Sequence, residues 1–115
     1  VILITGLCGS GFDIQILGVN SKAVSPPHHL NFISRAGVTH LLERCGLQEV
    51  SFTTPGVLDV DIVRNSFASD PATVTDPFLR QLFVNDDDTV LQNFQKFITA
   101  NKQSSHMWIL ARKPE

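Results

Sequence analysis

The chain has 115 residues, enough for one ordinary domain, and 43% of them are apolar, which suffices for a single core. Nine basic and eleven acidic residues give a formal charge of −2, so there is no basic field for nucleic acid and no polybasic membrane patch. No stretch approaches the roughly 18 consecutive apolar residues of a membrane span, and two cysteines, Cys8 and Cys45, make neither a zinc ribbon nor a disulfide scaffold, which points to a reduced, cytoplasmic setting.

The opening "VILIT" (Val1 to Thr5) is short, β-branched, continuously apolar and bounded by Gly6, the pattern of a strand covered on both faces. The chain begins there without a methionine, which reads as a piece of a longer protein. Asp13 is positioned to cap a short helix, "DIQILG", that Gly18 closes, and "VNSKAVSPPHH" follows as a long loop stiffened by Pro26 and Pro27. Ser34 caps the next helix, "RAGVTHLLERC", where Val38, Leu41, Leu42 and Cys45 share one face and Gly46 takes the position after the C-cap. That face assigns Cys45 to the core and leaves His40 facing solvent. "LQEVSFTT" alternates Val50 and Phe52 against polar neighbours and reads as a strand ended by Pro55-Gly56.

"LDVDIVRNSF" is a short helix with Val60, Val63 and Phe67 as its apolar stripe, and "ASDPATVTD" is a loop. Asp76-Pro77 caps and starts the helix "PFLRQLF". The acidic run Asp86 to Asp88 suits the N-terminus of "DTVLQNFQKFITAN", with Val90, Phe94, Phe97 and Ile98 at helical spacing, better than it suits a cation site. "HMWILAR" closes the chain as an apolar strand with Trp108 in the core. The result is an α/β chain of three strands with flanking helices, treated as one unit over residues 1–115.

The glycines after the first strand resemble a phosphate cradle without supplying one. Gly6 and Gly11 have P-loop spacing, but Phe12 and Asp13 stand where the lysine and the hydroxyl must be. A dinucleotide fingerprint fails as well, because the spacing is G-x-x-G-x-G and the first acid beyond Asp13 is Glu43. The glycines are better explained as a sharp turn that brings backbone close to a neighbouring segment. Cys8 lies in that loop as a thiol without a basic neighbour.

The stretch from Gly11 to Asn65, above all "PPHHLNFIS" with "LLERCGL" and "TPGVLDVDIV" after it, resembles the C-terminal half of class I S-adenosylmethionine-dependent methyltransferases. The resemblance implies half of a Rossmann-like sheet of order 3-2-1-4-5-7-6, in which "VILIT", "LQEVSFTT" and "HMWILAR" stand for the fifth, sixth and seventh strands. The last strand is then antiparallel and central. The cofactor motif, an acid and G-x-G-x-G after an early strand, belongs to the half without a counterpart here, so S-adenosylmethionine is implied for the longer protein and its binding by this chain alone is not expected. The resemblance also sets the substrate side of the cleft at Gly6, His28, His29 and Asn31, facing a small-molecule acceptor. An imidazole there is able to orient a nucleophile or accept its proton. Asn31 and Ser34 also read as a loop anchor and a helix cap. No catalytic residue is assigned, and the four histidines have no spacing that makes a metal site. The alternative is a stand-alone, non-enzymatic α/β interaction module. On either reading the strand at residues 1–5 leaves an open edge through which copies of the chain can associate.

Overall fold

The last strand of the chain is the middle of its sheet. In the computed structural model, which describes residues 1–24, 29 and 31–115, β1 (Ile2–Leu7) and β2 (Gln48–Thr53) flank β3 (His106–Arg112) in the order β1-β3-β2. Both outer strands run antiparallel to β3 and therefore parallel to each other. Among the described residues the chain also forms five α-helices: α1 (Phe12–Leu17), α2 (Arg35–Arg44), α3 (Asp59–Ser69), α4 (Pro77–Asn85) and α5 (Asp88–Ala100). The fold is α/β, with the expected three strands and a central, antiparallel last strand. No helix among the described residues is long and apolar enough to cross a membrane.

Among the described residues one face of the sheet is covered and the other is open. Ile4, Phe52, Met107, Ile109 and Ala111 point toward α2, where Val38 and Leu42 meet them in a core that also takes in Cys8. The opposite face carries Leu3, Val50 and Trp108, each about half exposed. Trp108 is thus not a core residue: alternation along β3 puts Met107, Ile109 and Ala111 inside and Trp108 outside. Val50 was expected to share the inner face with Phe52, and a β-bulge separates them. Glu49 pairs with Ala111 and Ser51 with Leu110, so Val50 is the extra residue and the parity changes there. The bulge turns Glu49 toward α2, and Arg35 grips it with two parallel bonds of 2.8 and 2.6 Å while lying 4.5 Å from the centre of the Phe52 ring.

Ser34 caps α2 as expected, accepting the Gly37 N–H at 3.1 Å. At the other end Gly46, with φ +66°, lets Leu47 N–H reach the Leu42 carbonyl and Gly46 N–H reach that of Glu43, a Schellman closure. This termination places Cys45 at the C-cap, off the buried stripe and exposed; Leu41 is largely exposed too, so Val38 and Leu42 do the packing. Asp76 and Asp87 cap α4 and α5 through their side chains. Asp86 and Asp88, flanking the second cap, pair with Arg64 at 2.7 and 3.5 Å.

Helices α1, α3, α4 and α5 form a second core around Leu17, Val60, Val63, Phe83, Leu91 and Ile98. On α5 the buried positions are Leu91, Gln95 and Ile98, whereas Val90 and Phe97 face outward, so the helix is turned from the expected stripe. The cause is Gln95. Its Oε1 accepts the Val60 N–H at 2.8 Å and its Nε2 donates to Thr99 Oγ1 and the Gly56 carbonyl, which makes an amide worth burying. The two cores lie end to end, giving a radius of gyration of 15.7 Å where a compact chain of this length has about 13 Å.

Short loops hold the cores together. A Cβ on Gly11 would run into the backbone N and Cα of Ser105, whereas one on Gly56 would meet the Ser104 hydroxyl and, at 3.0 Å, the His106 Cβ. Gly11→Ala is therefore expected to lower stability by about 2–3 kcal/mol, and Gly56→Ala by less, because side-chain atoms rather than backbone stand in its way, even though the Ser104 hydroxyl that must turn gives up its bond to Asp59. Chemical denaturation of the two variants measures the order directly.

Candidate functional site

Both parallel strands end at the same rim of the sheet, and the segment entering β3 starts there. Leu7 from the end of β1, Pro55 and Gly56 beyond β2, and Ser104 to His106 before and into β3 enclose a groove of about 400 Å³ with Asp13 and Asp59 in its wall. In open α/β sheets, ligand crevices lie at the carboxyl ends of parallel strands.

Asp59, the first residue of α3, is 2% exposed and satisfied. Its Oδ1 accepts the Ser104 hydroxyl at 2.6 Å and Gln95 Nε2 at 3.3 Å, and its Oδ2 accepts the Ser105 backbone N–H at 2.9 Å. The positive end of α3 favours the charge. Asp13 differs. It lies in the first turn of α1 and does not cap it; Gly11 occupies the N-cap, because the chain enters the helix from the close approach to Ser105. Asp13 is 1% exposed, and among the described residues neither of its carboxylate oxygens makes a well-formed hydrogen bond, although the Ser105 side chain and the Ile14 backbone lie close enough to favour its charged form. Burial pushes its carboxyl up from 3.8 to about 6; the Ser105 side chain pulls the other way, and the Asp59 carboxyl adds to the rise. A carboxyl at about 6 exchanges its proton near neutrality, as a general base must.

The residues singled out from sequence do not assemble around this groove. Gly6 lies within β1 opposite Met107, on the face toward α2. His29 and Asn31 are exposed, and neither lines the groove. His28, with Ser25, Pro26, Pro27 and Leu30, lies outside the described residues. Cys8, in the glycine loop, is buried with its thiol 2.9 Å from the Ser10 hydroxyl. His40 faces solvent as expected. No group of three or more metal-binding side chains occurs among the described residues. Asp13 and Asp59 were missed because each stands in a pattern that already explains an acid, the start of a helix.

The glycine loop does not fit a nucleotide-type cofactor. Gly9 faces the Phe32 carbonyl, which a Cβ would approach to 2.6 Å, and Gly11 faces Ser105, so protein backbone occupies the space their missing side chains leave. Comparison with protein-family models, curated proteins and solved structures gives no match.

Asp13 sets a pH dependence. Between 3.8 and about 6 the folded chain holds a proton that the unfolded chain has released, so stability falls as pH rises through that window. Asp13→Asn removes the titration and is expected to exceed the wild type at neutral pH by on the order of 2 kcal/mol, the two converging toward pH 3.8; thermal melts across this range test it. Asp59→Ala, which strips three bonds from a buried site, is expected to cost about 3 kcal/mol at neutral pH, read by the same melts.

Proposed function

We propose that the chain is the substrate-side half of a class I S-adenosylmethionine-dependent methyltransferase, its sheet the corresponding half of a Rossmann-like sheet, and that the longer protein transfers a methyl group to a small-molecule acceptor. The observation that carries this reading is the strand order β1-β3-β2 with the last strand antiparallel between two parallel ones, the arrangement the resemblance implies for strands five, seven and six. The groove at the carboxyl ends of β1 and β2 supports it, since that rim is the substrate side of such a sheet. On this reading the cofactor site belongs to residues ahead of Val1, consistent with the poor fit of the glycine loop, and methyl transfer draws mainly on alignment of acceptor and donor. His28, His29, Gly6 and Asn31 remain candidates for the acceptor side only if the acceptor extends beyond the groove. Among the described residues the outer edge of β1 has no strand beside it, and on this reading a preceding strand pairs there, or a second copy in its place. A cytoplasmic setting accords with Cys8 and Cys45 both being free thiols.

The open sheet face with Leu3, Val50 and Trp108 favours a second reading, a stand-alone interaction module that presents this surface to a partner. Calorimetry with S-adenosylmethionine separates the two. A gene product extended upstream, carrying an acid and G-x-G-x-G ahead of Val1, is expected to bind the cofactor, while residues 1–115 alone are not. Tight binding by residues 1–115, or an upstream sequence without that motif, overturns the proposal.

A further inference from the structure

We propose that the cavity between α3 and α5 binds a free amino acid with a large apolar side chain, its carboxylate on Lys96 and its ammonium on Asp61. The inference stands apart from the methyltransferase reading, and the cavity shares only Val57 with the groove at the strand ends. Its volume of about 660 Å³ is ample for such a ligand. The two helices are held side by side by Gln95, whose Oε1 accepts the Val60 N–H at 2.8 Å and whose Nε2 donates to the Gly56 carbonyl at 3.3 Å. Val60 and Leu91 close the floor, while Val57, 62% exposed, and Ala100 offer apolar surface to a ligand side chain. Asp61 on α3 and Lys96 on α5 line the same cavity from opposite helices, and both are exposed, so a ligand reaches them.

The charges around the cavity are distributed unevenly. Arg64 is already engaged, with Asp86 at 2.7 Å and Asp88 at 3.5 Å. Asp61 lies close enough for Arg64 to feel its charge without forming an ion pair with it. Three acids around one arginine leave that end negative, a field that favours an ammonium. Lys96 has no acidic partner among the described residues, although Asp61 lines the same cavity. Opposite charges that share a cavity and do not meet are matched by a ligand carrying both in the reverse sense. An ammonium gives Asp61 several donor hydrogens, and a carboxylate accepts those of Lys96. A ligand with the carboxylate alone meets the negative end without compensation, and one with the amine alone leaves Lys96 unmatched.

Three probes of similar size test the site: tryptophan, tryptamine and indole-3-propionate, each titrated at neutral pH into the isotope-labelled chain while backbone amide signals are followed by NMR. Tryptophan is expected to move the Val60, Asp61, Gln92 and Lys96 signals to saturation. It should bind about threefold to fivefold more tightly than either single-charge probe, the gain that one ion pair at an exposed rim supplies. Lys96→Gln should erase the advantage of tryptophan over tryptamine and keep its advantage over indole-3-propionate. Asp61→Asn should do the reverse, and the same spectra report that both variants are folded. Equal binding of the three probes, a preference that neither substitution alters, signals that move elsewhere, or no saturable shift each overturns the proposal.

Discussion

The Asp59 carboxylate is the joint on which the two halves of this molecule depend. One core is built on the covered face of the sheet and the other among four helices, and they share few apolar side chains. What crosses between them is polar: Asp59 at the start of α3 holds Ser104 and Ser105 before β3, and Gln95 of α5 bonds the Asp59 carboxylate, the Val60 amide and the Gly56 carbonyl. Burying such a network is favourable only because nearly every member is paired. Its geometry is also restrictive, since the backbone of Gly11 and the region around Gly56 must come so close to Ser104 and Ser105 that side chains are excluded.

Asp13 stands one step outside this network and shows what its absence costs. It is as buried as Asp59, at the N-terminus of another helix, and yet no donor among the described residues makes a well-formed bond to its oxygens. Two acids of the same type in one groove wall thus have different characters, one held by the Ser104, Ser105 and Gln95 donors, the other with its carboxyl pushed up to about 6 by burial. Separating two carboxylates in this way by environment is how a single site obtains both a fixed anchor and a group that exchanges its proton at a higher pH.

Much of the fold was legible in the sequence because local rules governed it. Ser34, Gly46, Asp76 and Asp87 each perform the cap or termination their residue type suggests, and the strands occur where apolar runs predict them. The misreadings share a different origin. Val50, Trp108, Cys45, Val90 and Phe97 were assigned to buried faces by periodicity, but a bulge, an uncovered sheet face, a helix that ends early and a buried glutamine decide their exposure. Those are tertiary facts. The groove was hidden for the same reason: Asp13 and Asp59 are far apart in the chain, and only the packing of α1 and α3 against the start of β3 brings them together.

Placing the final strand at the centre of the sheet has a consequence for how the chain is made. β1 and β2 share β3 as their neighbour, so the edge of β1 that β3 takes stays open while all the residues between the two strands are made. The helical core, local in sequence from α3 to α5, can form first. The pairing of β3 with both neighbours then closes the sheet last, and until it does the "ILITGL" segment is open to aggregation along the edge that β3 later covers.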